Sequence, residues 1–300
     1  MNQVVKLKPT VKSSLWGGHY FQKYGKSDLD VVSELWEVSA RGIDSSIIAS
    51  GADAGKRLDE VINGEDLGPN AKRFPYFPIL VKLIDANDNL SVQVHPSDEY
   101  ALKNENSFGK SEMWHIISAD KGAGIYLGFK KDYQREEVEK MLKDGTILEA
   151  LNFYEVKPGE TYVINPGTIH AIGAGVRLYE MQQNSDLTYR LYDYLRKDKN
   201  GNYRKLHIEK ALNVINYKKF VPEKVEGTLL AKNNYFIVNR VEIKDELVIE
   251  ANEGSFVTFT FLSGKGLVDD ISYQEFDSFF LPYGKKCVIK GKGTVIISRV

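Results

Sequence analysis

The segment Asn89–His115, NLSVQVHPSDEYALKNENSFGKSEMWH, carries the pattern on which the reading of the chain turns. Its first residues alternate as a strand does, with Ser91, Gln93 and His95 on one face, because successive side chains of a strand point to opposite sides. Pro96 then ends the strand by withholding a backbone donor. Glu112 follows seventeen positions after His95, at the head of a second apolar run, Met113–Ile117. Later, YVINPGTIHAI (Tyr162–Ile172) offers His170 from a strand that follows a Pro-Gly turn. Two imidazoles, a carboxylate and a side-chain carbonyl oxygen suit a zinc-like divalent ion with water at the open position. Spacing alone leaves a second reading equally open, with His95 and His170 as half-buried histidines far apart, since Q-x-H is a weak signal.

The flanking chain bounds the answer. Three hundred residues can bury a large core in one or two domains. Hydrophobic content of 42% and charged content of 27% are those of a soluble globular protein. A net charge of −1 gives no field favouring nucleic acid or an anionic membrane. No apolar run reaches bilayer length, and MNQVVKLKPTVKSSLWGG has no signal-peptide core. The single cysteine, Cys287, has no intrachain partner, which fits a reducing cytoplasm. Abundant Tyr, Val, Ile, Phe and Gly point to strands and turns.

Strands are expected over Val4–Lys8, Ser33–Ser39, Phe77–Asp85, Leu90–His95, Glu112–Ser118, Gly124–Phe129, within Phe153–Gln183 and over Thr188–Tyr194. The Asn87-Asp88-Asn89 turn predicts that Phe77–Asp85 and Leu90–His95 pair as a hairpin. Glu34 and Glu37 read as solvated or hydrogen-bonded structural groups, and His19 as a solvated loop histidine. Short helices are expected at Arg57–Asn63, at Ser97–Asn104 with Ser97 as its cap, at Ile147–Leu151 and at Leu206–Asn216. Asp132–Lys143 is an amphipathic helix with Val138, Met141 and Leu142 on one stripe. Gly64–Pro75 reads as a turn-rich connection, Lys199–Asn202 as a hairpin turn, and Lys218–Gly227 as a linker, after which every apolar segment is strand-like.

Two stretches echo one another. Glu160–Ile172 (ETYVINPGTIHAI) and Asp277–Ile289 (DSFFLPYGKKCVI) align without a gap, sharing an acid, a hydroxyl residue, an apolar triplet and a glycine at Gly167 and Gly284. His170 falls opposite Cys287, which reads as a small buried hydrophobe. Ser263–Gly266 echoes the turn at Asp120–Gly124 in the same way. The expectation is a mainly β chain with a few helices, folded as two related antiparallel barrels. Residues 1–220 carry the metal ligands, and residues 228–300, which contain no histidine, form a metal-free structural partner.

K-P-G-E-x-x-x-x-x-P-G-x-x-H, read from Lys157 to His170, is a cupin-type signature. With V-Q-V-H-P at Val92–Pro96, K-x-E-x-W at Lys110–Trp114, G-T-I-H-A-I-G at Gly167–Gly173 and Q-Q-N-S-D-x-T-Y-R-L-Y-D-Y at Gln182–Tyr194, the chain resembles the type I mannose-6-phosphate (phosphomannose) isomerases of the short bacterial and archaeal kind. The resemblance spans essentially the whole chain. It implies two cupin-type jelly-roll barrels without the large inserted helical domain of longer members, and one zinc held by Gln93, His95, Glu112 and His170. It also implies an essential Arg190, with Lys110, Glu180 and Asp186 as further site residues. Lys110-Ser111-Glu112 departs from the K-P-E of the longer forms, which puts cavity-wall details carried over from them in doubt.

The resemblance further implies interconversion of mannose 6-phosphate and fructose 6-phosphate through an enediol-type proton transfer, in a cytoplasmic monomer or weak homo-oligomer. Glu180, Asp186, Lys110 and a metal-bound water stand as alternative proton carriers. Alternation along Thr188–Tyr194 puts Arg190 opposite Leu191, so a polar barrel interior would receive it beside Glu180 and Asp186. Three other functions are weighed: an iron-dependent oxygenase, another metal-dependent cupin sugar-phosphate isomerase, and a non-catalytic sugar-binding double barrel. Oxygen chemistry favours a redox metal with more histidine ligands than this chain offers. A binding-only barrel has no need of the four ligands.

Overall fold

The computed structural model describes residues 1–300 except Asp198, Lys199, Lys224 and Glu226. Among the described residues three antiparallel sheets account for the strands. A six-stranded central sheet runs in the order Thr161–Ile164, Glu112–Ala119, Val176–Gln183, Ile79–Ala86, Glu34–Val38, Thr10–Lys12. A five-stranded outer sheet runs Tyr189–Tyr192, Val92–Val94, His170–Ile172, Gly124–Phe129, Leu151–Glu155. A nine-stranded C-terminal sheet takes every strand from Leu229–Lys232 to Lys286–Arg299, together with Val5–Lys8 and Ile47–Ile48. The first strand of the chain pairs there, Val5 opposite Phe280.

Period-2 alternation distributes the side chains into layers. In the central sheet Leu35, Val81, Leu83, Tyr179 and Met181 face the C-terminal sheet, packing with Phe256, Phe276, Phe280 and Ile296. The opposite face sends Ile84, Trp114, Ile116, Ile164 and Leu178 towards Ile125, Leu127 and Ile172 of the outer sheet. Because both faces are covered, Ile79–Ala86 is buried at all eight positions. The far face of the outer sheet, with Val92, Val94, Tyr189 and Leu191, lies under the helices Arg135–Asp144, Ile147–Ala150 and Ile208–Leu212. A further apolar cluster around Phe259, Phe261, Phe279, Cys287 and Ile289 fills the C-terminal sheet's other side.

The predicted hairpin does not form. Ile79–Ala86 pairs with Val176–Gln183 on one edge and Glu34–Val38 on the other, so no edge remains for Val92–Val94. The Asn87–Asn89 turn, held through Asn87 and Asp88 N–H groups on the Trp16 carbonyl, carries the chain to the outer sheet instead. Gly64–Pro75 is also more regular than expected, with a helix at Gly64–Leu67 and a 3-10 turn at Pro69–Arg73. Asn63 accepts from the Glu65 and Asp66 N–H groups while Asp66 accepts from Asn63, a capping box that stabilises so short a helix. A bulge between Trp36 and Val38 turns Val38 to the same core as Leu35, against simple alternation.

The internal echo holds in one of its two places. Thr161–Ile164 and Ser278–Leu281 are strands over matching positions of the alignment, and Gly167 (φ 85°) and Gly284 (φ 76°) both take the left-handed conformation. Ser263–Gly266, by contrast, lies inside the strand Val257–Val268 and is no turn. The Lys199–Asn202 turn falls partly outside the described residues, as does part of Lys218–Gly227.

Candidate metal centre

The centre lies between the central and outer sheets and is built by strand register. Gln93 stands opposite His170 on one side and Arg190 on the other, so three polar side chains share one row of the outer sheet's inner face. His95 sits two residues beyond Gln93 on that same face. Glu112 opens its strand in the central sheet, opposite Gln182 and Ile164, and reaches across from the facing layer. One ligand atom each from His95, Glu112 and His170 lies within 4.8 Å of the others, and all three residues are buried. Nε2 of His170 is 3.2 Å from Glu112 Oε1, and Nε2 of His95 is 3.5 Å from Oε2. Gln93 Nε2 is 3.3 Å from His170 Nε2, and turning that amide over presents its carbonyl oxygen to the same point.

Backbone carbonyls decide which ring nitrogen faces inwards. His95 Nδ1 is 2.9 Å from the Leu187 carbonyl and His170 Nδ1 is 2.8 Å from that of Thr168. A carbonyl accepts only, so each Nδ1 carries the proton and each Nε2 directs a lone pair into the centre. Burial pushes the His170 imidazole down to about 3, and burial with the nearby Lys110 ammonium lowers His95. Burial acts to raise Glu112, yet the Lys110 ammonium holds its carboxyl well below the usual range. Two neutral imidazoles and a carboxylate thus converge as acceptors, and Glu112 Oε1 has no hydrogen-bond donor. Buried acceptors aimed at one another are costly unless a cation sits among them, so these residues fit a divalent metal.

Lys110 stands at the edge of the cluster, with Nζ 3.1 Å from His95 Nε2 and bonded to Glu112 Oε2. Glu180 is buried on the central sheet. It accepts from Trp114 Nε1 at 2.8 Å and lies 3.2 Å from Lys82 Nζ, and the Trp114 ring meets His170 edge-on at 5.4 Å. Lys82 also lies 3.4 Å from Glu34 and over the Trp36 ring. Sequence reading missed this Glu34–Lys82–Glu180 chain. Its signal was present, a lone lysine inside the apolar run FPILVKLID.

Arg190 is half-buried on the inner face, donating from Nε to Ser91 Oγ and from Nη1 to the Lys205 carbonyl, while Leu191 lies beneath the helices. Asp186 is not part of the group. Its side chain is 73% exposed and pairs with Arg41 at 3.0 Å. Gln182 Nε2 bonds the Gln183 and Ser185 carbonyls, folding the chain into a turn that throws the Asp186 carboxylate outwards. His19 is exposed, as expected, and Glu37 is the hydrogen-bonded structural group of the two alternatives, buried with Lys26 Nζ 3.3 Å away.

Comparison with known proteins places this geometry. The family model for phosphomannose isomerase type I, catalytic domain, matches residues 4–115. Mannose-6-phosphate isomerase of Streptococcus mutans is 33% identical over 297 residues, covering 94% of this chain and 93% of that protein. The chain belongs to the type I phosphomannose isomerase family. Within it, the crystal structure of the mannose 6-phosphate isomerase from Bacillus subtilis superposes with a TM-score of 0.92 at 32% identity over the whole of both chains. A zinc-bound mannose 6-phosphate isomerase shares the fold at 17% identity, with a TM-score of 0.79 and 98% of each chain covered. Both matches span nearly the full length of each chain, so this fold is shared with these two structures.

Proposed function

We propose that the chain is a zinc-dependent aldose–ketose isomerase interconverting mannose 6-phosphate and fructose 6-phosphate. The observation that carries this reading is the convergence of His95 Nε2, His170 Nε2 and the Glu112 carboxylate within 4.8 Å in a phosphomannose isomerase family member. Gln93 completes the donor set, and one ion is bound per chain. When bound, zinc supplies Lewis acidity to the sugar carbonyl without redox chemistry. The Lys110 ammonium donates to the oxygen that gains charge as the enediol forms, and Arg190 offers a fixed planar cation to an anionic part of the substrate. Glu180, held by Lys82 and Trp114, carries the proton between C1 and C2. Glu180 is preferred to Asp186 for that role because the Asp186 side chain is exposed and pairs with Arg41.

Residues 1–220 and 228–300 are read as two jelly-roll barrels, the first catalytic and the second without metal, with Val5–Lys8 and Ile47–Ile48 of the first segment lent to the sheet of the second. The antiparallel strand orders and the separate apolar cluster around Phe261 support this. No helix of the described residues is long and apolar enough to cross a membrane, and a cytoplasmic monomer or weak homo-oligomer is the proposed state. The test is metal analysis of the purified chain together with an isomerase assay on mannose 6-phosphate. One zinc per chain and metal-dependent production of fructose 6-phosphate are expected. A zinc-loaded chain without turnover would refute the reading.

A further inference from the structure

Three residues past Arg190 the chain gathers charge that the metal centre does not use. Asp193 is 6% exposed and accepts from Arg204 Nε and Nη2 at 2.7 and 2.6 Å, and from Arg196 Nη2 at 2.6 Å. Arg196 Nη1 also reaches Asp88 at 3.1 Å. Three guanidiniums (Arg190, Arg196, Arg204) thus face two carboxylates (Asp88, Asp193), leaving one positive charge in excess. Among the described residues, Nη2 of Arg190 and Nη1 of Arg204 have no acceptor. The cluster borders a cavity of about 300 Å3 lined by Ser14, Leu15, Trp16, Asp193, Arg196 and Arg204. Trp16 belongs to the apolar layer between the central and outer sheets, the same layer whose Trp114 ring meets His170 edge-on.

Register sets the distance. Arg190 stands opposite Gln93 and, across a bulge, Tyr192 stands opposite Val92, so Asp193 lies about two partner positions further along, roughly 7 Å at about 3.3 Å per residue. Long guanidinium side chains reach back over part of that span. A sugar whose C1 and C2 lie at the metal centre extends its C6 phosphate in this range. We propose that Arg196 and Arg204, clamped by Asp193, form with Arg190 the anion subsite that receives the substrate's phosphate. The proposal rests on the isomerase reading. Guanidinium forks match phosphate oxygens in pairs, and the buried Asp193 holds two of them in place before the anion arrives. Partial neutralisation by Asp193 keeps the arginines from repelling one another while the excess charge remains for the ligand.

The experiment uses the zinc-loaded full chain, with mannose 6-phosphate as substrate and inorganic phosphate as a competing probe. Arg204→Ala should raise the KM and the phosphate inhibition constant together by about ten- to hundredfold, with kcat changing less than KM. Arg204→Lys should fall between the two. Unchanged KM and phosphate inhibition in an Arg204→Ala enzyme that still turns over would overturn the subsite and leave the isomerase reading standing. A wild-type chain without turnover would remove that reading, and calorimetric titration with phosphate would then decide the anion site. Weaker binding in Arg204→Ala supports it, and equal binding overturns it. Should Arg204→Ala not fold, Arg196→Lys and Arg204→Lys carry the same comparison.

Discussion

Gln93 and His170 face each other directly across two antiparallel strands, with their Nε2 atoms 3.3 Å apart. That single register fixes the centre, because a slip of one residue in either strand would send one of the two side chains to the helix-covered face. The opposite face is filled by Val92, Val94 and Ala171, which resists such a slip.

Replacement of His170 should therefore abolish metal binding rather than loosen the fold. His170→Ala is expected to bind no zinc by metal analysis, and to lose isomerisation with it. Metal that binds only the folded chain stabilises it by about 2.7 kcal/mol at a hundredfold excess over Kd. A chelator should accordingly lower the melting temperature of the wild type and leave that of His170→Ala unchanged. An equal chelator effect on both proteins would show that the zinc sits elsewhere.

His115 is the measurable acid-sensitive group of the central sheet. It is 2% exposed, with Nδ1 2.8 Å from Thr161 Oγ1. Burial, with Arg240 adding to it, lowers its imidazole from 6.5 to about 4. The unfolded chain binds a proton at this site below pH 6.5 while the folded chain declines it until about pH 4. Stability is thus present above pH 6.5 and lost as pH falls through that window, by up to about 3 kcal/mol. His115→Gln should flatten the pH dependence of urea unfolding between those limits. Parallel curves for the two proteins would contradict this.

Lys82 holds two carboxylates apart. Lys82→Met leaves Glu34 and Glu180 facing one another in a buried wall, and loss of one member of a buried ionic group costs about 3–5 kcal/mol. Adding Glu34→Gln should restore part of that, giving a coupling energy of about 0.5–3 kcal/mol in a double-mutant cycle followed by denaturant unfolding. Additive effects would mean that the two residues do not communicate.

The pattern of what the sequence disclosed follows from range. Q-x-H is local, and strand alternation aims Gln93 and His95 to one face, whereas Glu112 arrives from the facing sheet, a long-range pairing that spacing left open and only the family resemblance implied. The helix at Asp98–Asn104 was legible from its Ser97 cap for the same reason. The Asn87–Asn89 turn was misread because a hairpin and a crossing between sheets use the same residues. Only the pairing of Ile79–Ala86 on both edges separates the two. Asp186, carried over from the resemblance as a site position, points outwards and pairs with Arg41, because a motif match does not say which way a turn throws a carboxylate. Glu34 joined the site from a strand far away in the chain, through a lysine whose burial needs a completed sheet.

Arg190 offers the sharpest separation of catalysis from stability. Alternation along Tyr189–Tyr192 puts Leu191 under the helices and Arg190 on the inner face, level with Gln93. Its two bonds, to Ser91 Oγ and the Lys205 carbonyl, are hydrogen bonds to neutral groups, and no carboxylate in the described residues pairs with it directly. Losing them costs stability on the order of 1 kcal/mol each. Arg190→Lys keeps a positive charge but not the planar fork, so kcat should fall by about ten- to a thousandfold while the urea midpoint moves little. Zinc content should stay at the wild-type level, because the guanidinium is no ligand and its neighbour Gln93 remains opposite His170. Arg190→Ala with retained metal and near wild-type turnover would remove the arginine from the chemistry. Loss of metal in either variant would instead make it a support for the Gln93 strand.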